Sequence, residues 1–137
     1  MELYSDEIIF LDYIPEQDIL TVALQEEREY PVAEVRKAFI SIVSCIRENN
    51  ISRLLLDFRR NTLDLSEADY KASIAQLAVG VLQTPLQKVA RVGTSNPIRE
   101  NKIVNTYEGI KGAVPFPIAV KMFYDKAEAL EWLKLEV

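Results

Sequence analysis

One short run near the middle of the chain constrains the fold more than any other feature. Leu54, Leu55 and Leu56 follow one another without an intervening polar residue. Consecutive side chains of a β-strand point to opposite faces of the sheet, so a strand that is apolar at every position must be covered on both faces. Parallel sheets flanked by helices contain such strands. Residues 52–58 therefore predict a central strand of an α/β sheet.

The segments before this strand predict a hairpin and a helix. Residues 7–13 and 19–25 are rich in β-branched and aromatic side chains and flank a turn that contains Pro15. Two such runs joined by a short turn are typical of an antiparallel hairpin. Apolar residues then recur with helical spacing from Val35 onward, which predicts a first helix that ends near Asn50.

The rest of the chain continues the alternation of helices and strands. Ser66 with acidic residues after it resembles a capping box and predicts the start of a second helix. Strands are predicted for 88–93 and 117–123, a third helix for 97–110, and a final helix for 125–133. The predicted order is ββαβαβαβα, with a mixed, mostly parallel sheet after the hairpin. No linker or repeat divides the chain, so we predict a single α/β domain over 1–137.

The composition excludes several kinds of chemistry. The 137 residues contain no histidine, which excludes Ser-His and Cys-His catalytic pairs and His-ligated zinc or haem. The single cysteine, Cys45, excludes a thiolate metal cluster. Its position on the apolar side of the first helix favours a core residue over a nucleophile. We therefore expect no cofactor and no metal.

The charge of the chain bears on its partners. Sixteen basic and 21 acidic residues give a net charge of −5, which disfavours nucleic acid and anionic bilayers as partners. No apolar run is long enough to span a bilayer, and the first residues lack the pattern of a signal peptide. We expect a cytoplasmic location without integral membrane association.

The loop after the central strand is the first candidate site. Ligands of open α/β sheets bind at the carboxyl ends of strands, and a helix N-terminus offers N–H groups to an anion. The residues of a candidate regulatory or anion-binding loop are Arg59, Arg60, Thr62, Asp64 and Ser66. The alternative is a solvated loop in which Ser66 caps the helix and Asp57 or Asp64 pairs with an arginine. No glycine-rich phosphate loop is present, so nucleotide binding has no support.

The second helix is the other candidate site, because it is apolar on nearly all sides and must be covered. The residues of the candidate interface are Tyr70, Ile74, Leu77 and Val81. The opposite side is apolar as well, with Ala72, Ala75, Val79 and Leu82. Three kinds of cover are open: the protein's own sheet and helices, a homodimer or another protein partner, or a small apolar ligand.

Two stretches, together with the element order, resemble a known superfamily. They are the central Leu-Leu-Leu-Asp-Phe strand with its following loop and helix, and the ending Val-Lys-Met-Phe-Tyr-Asp-Lys-Ala-Glu-Ala-Leu-Glu-Trp-Leu. Both are similar to the SpoIIAA-like superfamily, which contains STAS domains and STAS/SEC14-like small bacterial proteins. The ending looks most like the second group. The resemblance implies a SpoIIAA-like fold.

The resemblance also implies a class of function. In anti-sigma-factor antagonists the loop ends in Asp-Ser-Ser-Gly, and a partner kinase phosphorylates a serine there. Asp64 and Ser66 match the aspartate and the second serine, whereas Leu65 and Glu67 replace the first serine and the glycine. Glu67 would place like charge beside a phosphate. The resemblance therefore implies a non-catalytic interaction or regulatory module that acts by protein binding.

Two other functions remain open at this stage. The SEC14-like group implies, as the alternative, a carrier of a small apolar or lipid-like ligand. An enzyme would depend on Asp57, Asp64 and Ser66 alone, without a histidine, cysteine or metal to activate a nucleophile. We expect that the protein is not an enzyme.

Overall fold

The computed structural model describes residues 1–63, 66–93 and 118–135 of the chain. These residues form a six-stranded mixed sheet and three helices, which confirms the α/β class. In chain order the elements are β1 (Glu2–Ser5), β2 (Ile9–Ile14), β3 (Ile19–Leu24), α1 (Val32–Asn49), β4 (Arg53–Asp57), α2 (Glu67–Val81), β5 (Lys88–Val92), β6 (Ala119–Phe123) and α3 (Lys126–Lys134).

The six strands lie side by side in the order in which they occur in the chain. β1, β2 and β3 are antiparallel, whereas β3 to β6 are parallel. Because successive parallel strands always advance in one direction, right-handed crossovers place α1 and α2 on the same face of the sheet. The two helices pack against each other there. Between the described strands the order never reverses, so they form no switch-point crevice of the kind that binds ligands in doubly wound sheets.

The leucine run of β4 is divided between two hydrophobic layers, as a strand covered on both faces requires. Leu54 and Leu56 belong to the larger layer, beneath α1 and α2. Leu55 belongs to the smaller layer on the other face, with Ala129 and Leu133 of α3. The prediction of a central strand buried on both faces is confirmed.

The hairpin is confirmed as β2 and β3, but the structure adds a strand that the sequence did not predict. β1 pairs antiparallel with β2, and its register shifts between Glu2 and Tyr4. This strand is short and largely exposed. A four-residue edge strand with one side in solvent carries almost no hydrophobic pattern, so pairing with β2, rather than local sequence, defines it.

The predicted helix ends are present where the structure describes them. Asn50 adopts the left-handed conformation with φ of 52° and ends α1. The Ser66 hydroxyl accepts a hydrogen bond from the Asp69 N–H at 3.1 Å and begins α2. Asp125 accepts from the Ala127 N–H at 2.9 Å and begins α3. The helix predicted for 97–110 lies outside the described residues.

A buried lysine of β5 anchors α3 to the sheet. Lys88 is 4% exposed, and its ammonium donates hydrogen bonds to the carbonyl groups of Trp132 and Leu135 at the end of α3. It also lies 5.0 Å from the centre of the Trp132 ring. Burial, with the nearby charge of Arg53, lowers the pKa of Lys88. This side chain adds a donor to two carbonyl groups at the end of α3, of which that of Trp132 also accepts from the Leu135 N–H.

Candidate functional site

The loops that follow β3 and β4 are joined at the carboxyl edge of the sheet. The Arg28 N–H donates to the Arg60 carbonyl at 3.1 Å, and the Thr62 N–H donates to the Arg28 carbonyl at 2.9 Å. These bonds form a short parallel bridge between Arg28 and Asn61, beyond the ends of the strands. The chain's own backbone thus closes this edge between β3 and β4.

Asn61 is the central residue of this closure, although it is not among the site residues predicted from the sequence. Its side chain is 3% exposed. Its Oδ1 accepts from the Tyr30 N–H at 2.9 Å and from the Leu63 N–H at 3.0 Å, while its Nδ2 donates to the Tyr30 carbonyl at 3.2 Å. An asparagine in a polar loop has the same sequence context whether it is buried or solvated. No sequence signal therefore distinguishes it.

Arg59 is paired within its own loop. Its Nε and Nη2 donate to the two carboxylate oxygens of Asp57 at 2.9 and 2.8 Å. Burial by itself would raise the pKa of Asp57, but hydrogen bonds from Arg59 and the charges of Arg59 and Lys126 outweigh it and lower that pKa. The bidentate pair neutralises the guanidinium that an anion would need.

Among the other candidate residues of the loop, Arg60 and Ser66 form hydrogen bonds within the protein, and Asp64 lies outside the described residues. Arg60 donates from Nη1 to the Leu24 and Gln25 carbonyls at 3.2 and 3.1 Å. Ser66 caps α2, as the solvated-loop alternative states. Thr62 has an exposed side chain, and Asp64 lies outside the described residues. A ligand of this loop stays a prediction.

The candidate interface on α2 faces the core of the protein. Ile74 and Leu77 are half-buried against the hydrophobic layer beneath α1 and α2. Val81 is 2% exposed and belongs to that layer. This corrects the prediction for Val81, because a side chain enclosed by its own fold cannot form an interface. Tyr70 belongs to α2, and its side chain lies outside the described part of the structure.

The opposite side of α2 is the one that reaches solvent. Val79 is 64% exposed, and Ala72, about two turns before it, is exposed as well. On α1, Ile40 is 60% exposed. We call this surface the outer helix face. It consists of Arg36, Lys37, Ile40 and Arg47 of α1 and Lys71, Ala72 and Val79 of α2.

Contacts between the two helices place Ile40 and Val79 near each other. Arg36 Nε donates to Gln76 Oε1 at 2.9 Å, and Gln76 Nε2 donates to the Arg36 carbonyl at 3.2 Å. About two turns further along α1 and one turn further along α2, Gly80 packs against Val43. Ile40 follows Arg36 by four residues and Val79 follows Gln76 by three, so each is a neighbour of a contact residue on the surface of its own helix. The two exposed apolar side chains therefore border the same helix–helix contact.

A groove lies between the β1–β2 turn and the first turns of α1. Its volume is about 740 Å³, and its lining includes Tyr4, Asp6, Glu7, Glu34 and Lys37. The Asp6 carboxylate accepts from two backbone N–H groups of the turn and from the Tyr4 hydroxyl. A carrier of an apolar ligand needs a mostly apolar, enclosed cavity. This polar groove does not favour that alternative.

Metal binding, membrane crossing and the reactivity of the single thiol are three further properties of the described residues. Within residues 1–63, 66–93 and 118–135, no three histidine, cysteine or acidic side chains are grouped so as to hold a metal ion. No helix in this part of the chain has both the length and the apolar character needed to cross a membrane. Cys45 is 7% exposed in the core, and burial raises the pKa of its thiol. The prediction that Cys45 is a core residue is confirmed.

Comparisons with known proteins find no counterpart of this chain. No family model matches it, and neither the curated proteins nor the solved structures contain a match. The resemblance to the SpoIIAA-like superfamily stays a prediction that depends on the two quoted stretches and the element order.

Proposed function

We propose that the chain is a non-catalytic interaction or regulatory module of the SpoIIAA-like type that acts in the cytoplasm by binding another protein. The observation that carries this proposal is the outer helix face. Ile40 and Val79 are 60% and 64% exposed beside the α1–α2 contact, although the fold buries most of its other large aliphatic side chains. Exposed apolar side chains that are grouped, rather than scattered, are typical of protein-binding surfaces.

The chemistry of the other candidate residues supports binding over catalysis. Asp57 is held as a carboxylate by Arg59, so it is a poor proton donor. Ser66 uses its hydroxyl oxygen to accept the capping hydrogen bond. The Cys45 thiol is buried, with a raised pKa that disfavours the reactive thiolate. These residues fit structural roles.

The fold supports the SpoIIAA-like part of the proposal. Parallel strands β3 to β6 follow an antiparallel hairpin, α1 and α2 pack on one face, and α3 packs on the other. Outside 94–117 the described elements match the predicted order, apart from the additional strand β1.

The test compares proteins captured by the wild type, by Ile40→Asp/Val79→Asp, and by Tyr124→Asp. Tyr124 is 69% exposed on the loop before α3, so it is a matched apolar control away from the outer helix face. Each variant is immobilised and exposed to lysate of the organism that encodes the chain, and bound proteins are quantified by mass spectrometry. We expect at least one protein to be retained by the wild type and the control and lost by the double variant.

Two results would contradict the proposal. One is that no protein distinguishes the double variant from the wild type, while light scattering shows the same monomeric mass at all concentrations. The other is turnover of a substrate that Asp57→Asn or Ser66→Ala abolishes.

A further inference from the structure

We propose that the outer helix face binds an acidic amphipathic segment of a partner protein. This inference rests on the proposed function and names the chemistry of the partner. The surface combines two exposed apolar side chains with four basic ones, in a chain whose net charge is −5.

The basic side chains surround the apolar ones. Arg36 and Lys37 precede Ile40 by four and three residues, which makes them its neighbours on the surface of α1. Arg47 lies two turns further along the same side. On α2, Lys71 precedes Val79 by about two turns. All four basic residues are exposed.

Three of these cations, Arg36, Arg47 and Lys71, are not neutralised by acidic side chains of the described chain, whereas the charge of Lys37 acts on Asp6 across the groove. Within 1–63, 66–93 and 118–135, the ion pairs involve other residues, and none includes Arg36, Lys37, Arg47 or Lys71. Arg36 bonds to the Gln76 amide, which leaves its charge uncompensated. The acids of the two helices lie in their first turns, apart from Glu48 near the end of α1. The positive charge of Arg36, Arg47 and Lys71 is therefore available to a partner.

Charge argues against the other occupants of such a face. Two copies that met through this same surface would bring like charges together, which disfavours a symmetric homodimer here. A nucleic acid needs a larger basic surface than the four basic side chains of this face provide. Bilayer-binding helices also carry Trp, Phe or Leu anchors. In the part of the chain that the structure describes, this side of the two helices exposes one such residue, Leu82, which is 36% exposed just after α2, besides Ile40 and Val79.

An acidic amphipathic helix meets the requirements of the surface. Its apolar side chains at i, i+3 or i+4 would cover Ile40, Ala72 and Val79 along the α1–α2 contact. Its flanking carboxylates would face Arg36, Arg47 and Lys71. Complementary charge at the rim of a contact accelerates association and selects the partner.

The test uses three fluorescein-labelled 16-residue peptides and the full chain. The first has leucines at i, i+3, i+4 and i+7 with glutamates at the other positions; the second replaces each glutamate with lysine; the third scrambles the first. Binding is measured by fluorescence anisotropy at about 50 mM and about 500 mM salt, since screening weakens exposed charge pairs. We expect the acidic amphipathic peptide to bind at least about tenfold more tightly than the others, and more weakly at high salt.

Variants locate the site. Ile40→Asp and Val79→Asp should each weaken binding by about tenfold or more, since they remove the apolar contact and add like charge. Arg36→Gln and Arg47→Gln should each weaken it by a few fold. Lys121→Gln and Tyr124→Asp, on other surfaces, should leave it unchanged. Circular dichroism confirms that each variant is folded.

Four results would overturn the inference, and they differ in what they leave of the proposed function. If no peptide binds, or if the lysine peptide binds as tightly as the acidic one, the partner does not have this chemistry. Lysate capture that still depends on Ile40 and Val79 would then preserve the proposed function. Concentration-dependent dimerisation abolished by Val79→Asp would identify a second copy as the occupant. Cosedimentation with phosphatidylglycerol vesicles that the same variants abolish would identify a membrane.

Discussion

The carboxyl-edge loop and the outer helix face contain similar residue types and differ in what the fold does with them. In the loop, Arg59 and Arg60 bond to Asp57 and to backbone carbonyls, and Asn61 bonds to the backbone of Tyr30 and Leu63. On the outer helix face, cations and apolar side chains extend into solvent. A polar residue in a suggestive place is a candidate for binding only when the fold leaves its hydrogen bonds and charge unused.

The same contrast occurs within α2, over a distance of two residues. Val79 is 64% exposed, whereas Val81 is 2% exposed. Helix positions i and i+2 differ by about 200° around the helix axis. One residue of such a pair can therefore face the core while the other faces solvent. The four predictions below test how sharply the two regions and the two sides of α2 differ.

The largest effect should come from a charge placed on the inner side of α2. Val81→Asp puts an unpaired carboxylate into the hydrophobic layer and should cost about 4 kcal/mol or more, enough to unfold a marginal domain. Val79→Asp makes the same change in the same turn of the helix, where solvent remains available, and should cost less than about 1 kcal/mol. Urea unfolding followed by circular dichroism measures both. Equal costs would mean that the two sides of α2 do not differ in burial.

The next effect should come from the closure of the carboxyl edge. Asn61→Ala leaves the buried N–H and carbonyl of Tyr30 and the N–H of Leu63 without their partner, and should cost about 3 kcal/mol. Thr62→Ala, the exposed neighbour, should change stability by less than about 0.5 kcal/mol. The free energies of unfolding in urea provide the comparison. If Asn61→Ala cost as little stability as Thr62→Ala, the Asn61 side chain would not hold the loop closed. The loop would then be free to serve as a ligand site.

A smaller effect should come from the close approach of α1 and α2. A Cβ at position 80 would lie 2.9 Å from Val43 Cγ2, so Gly80→Ala should destabilise the protein by about 1 kcal/mol. In a Val43→Ala background the clash is gone, and the better helix propensity of alanine should make the same change stabilising by about 0.5 to 1 kcal/mol. A double-mutant cycle from thermal or urea unfolding measures the change of sign. An unchanged sign would show that the helices have room to separate.

The smallest effect should come from the Asp57–Arg59 pair, and it depends on pH. Hydrogen bonds from Arg59 hold the folded-state pKa of Asp57 below its ordinary value of 3.8. A lowered folded pKa means that the pair stabilises the protein above about pH 4, and that this contribution is lost as the pH falls through the folded pKa. Because Arg59 is partly exposed, Asp57→Asn should cost only about 0.5 kcal/mol at pH 7, and less below pH 4.

The matched control for this pair is Glu16→Gln, which removes an exposed carboxylate of the β2–β3 turn. Unfolding free energies of the two variants and the wild type, measured from pH 3 to pH 7, provide the comparison. A cost of Asp57→Asn that did not change with pH would show that the carboxylate charge is not what stabilises the loop.

Local signals predicted most of the secondary structure because they depend on neighbours in the chain. The leucine run of β4, the helical spacing in α1, and the capping residues Ser66 and Asp125 each predicted an element that the structure contains. β1 was missed because its stability depends on pairing with β2. The candidate loop was predicted at the right place, but its central residue, Asn61, was not.

The sequence by itself determined the α/β class, the alternation of strands and helices, and the absence of histidine chemistry, since residue types and their spacing carry that information. Only the tertiary structure decided that Asn61 closes the carboxyl edge and that Val81 rather than Val79 is inside. A helix that is apolar on nearly all sides does not specify which side it buries. That choice is made by the packing of α1, α2 and the sheet, which brings together residues that are distant in the chain.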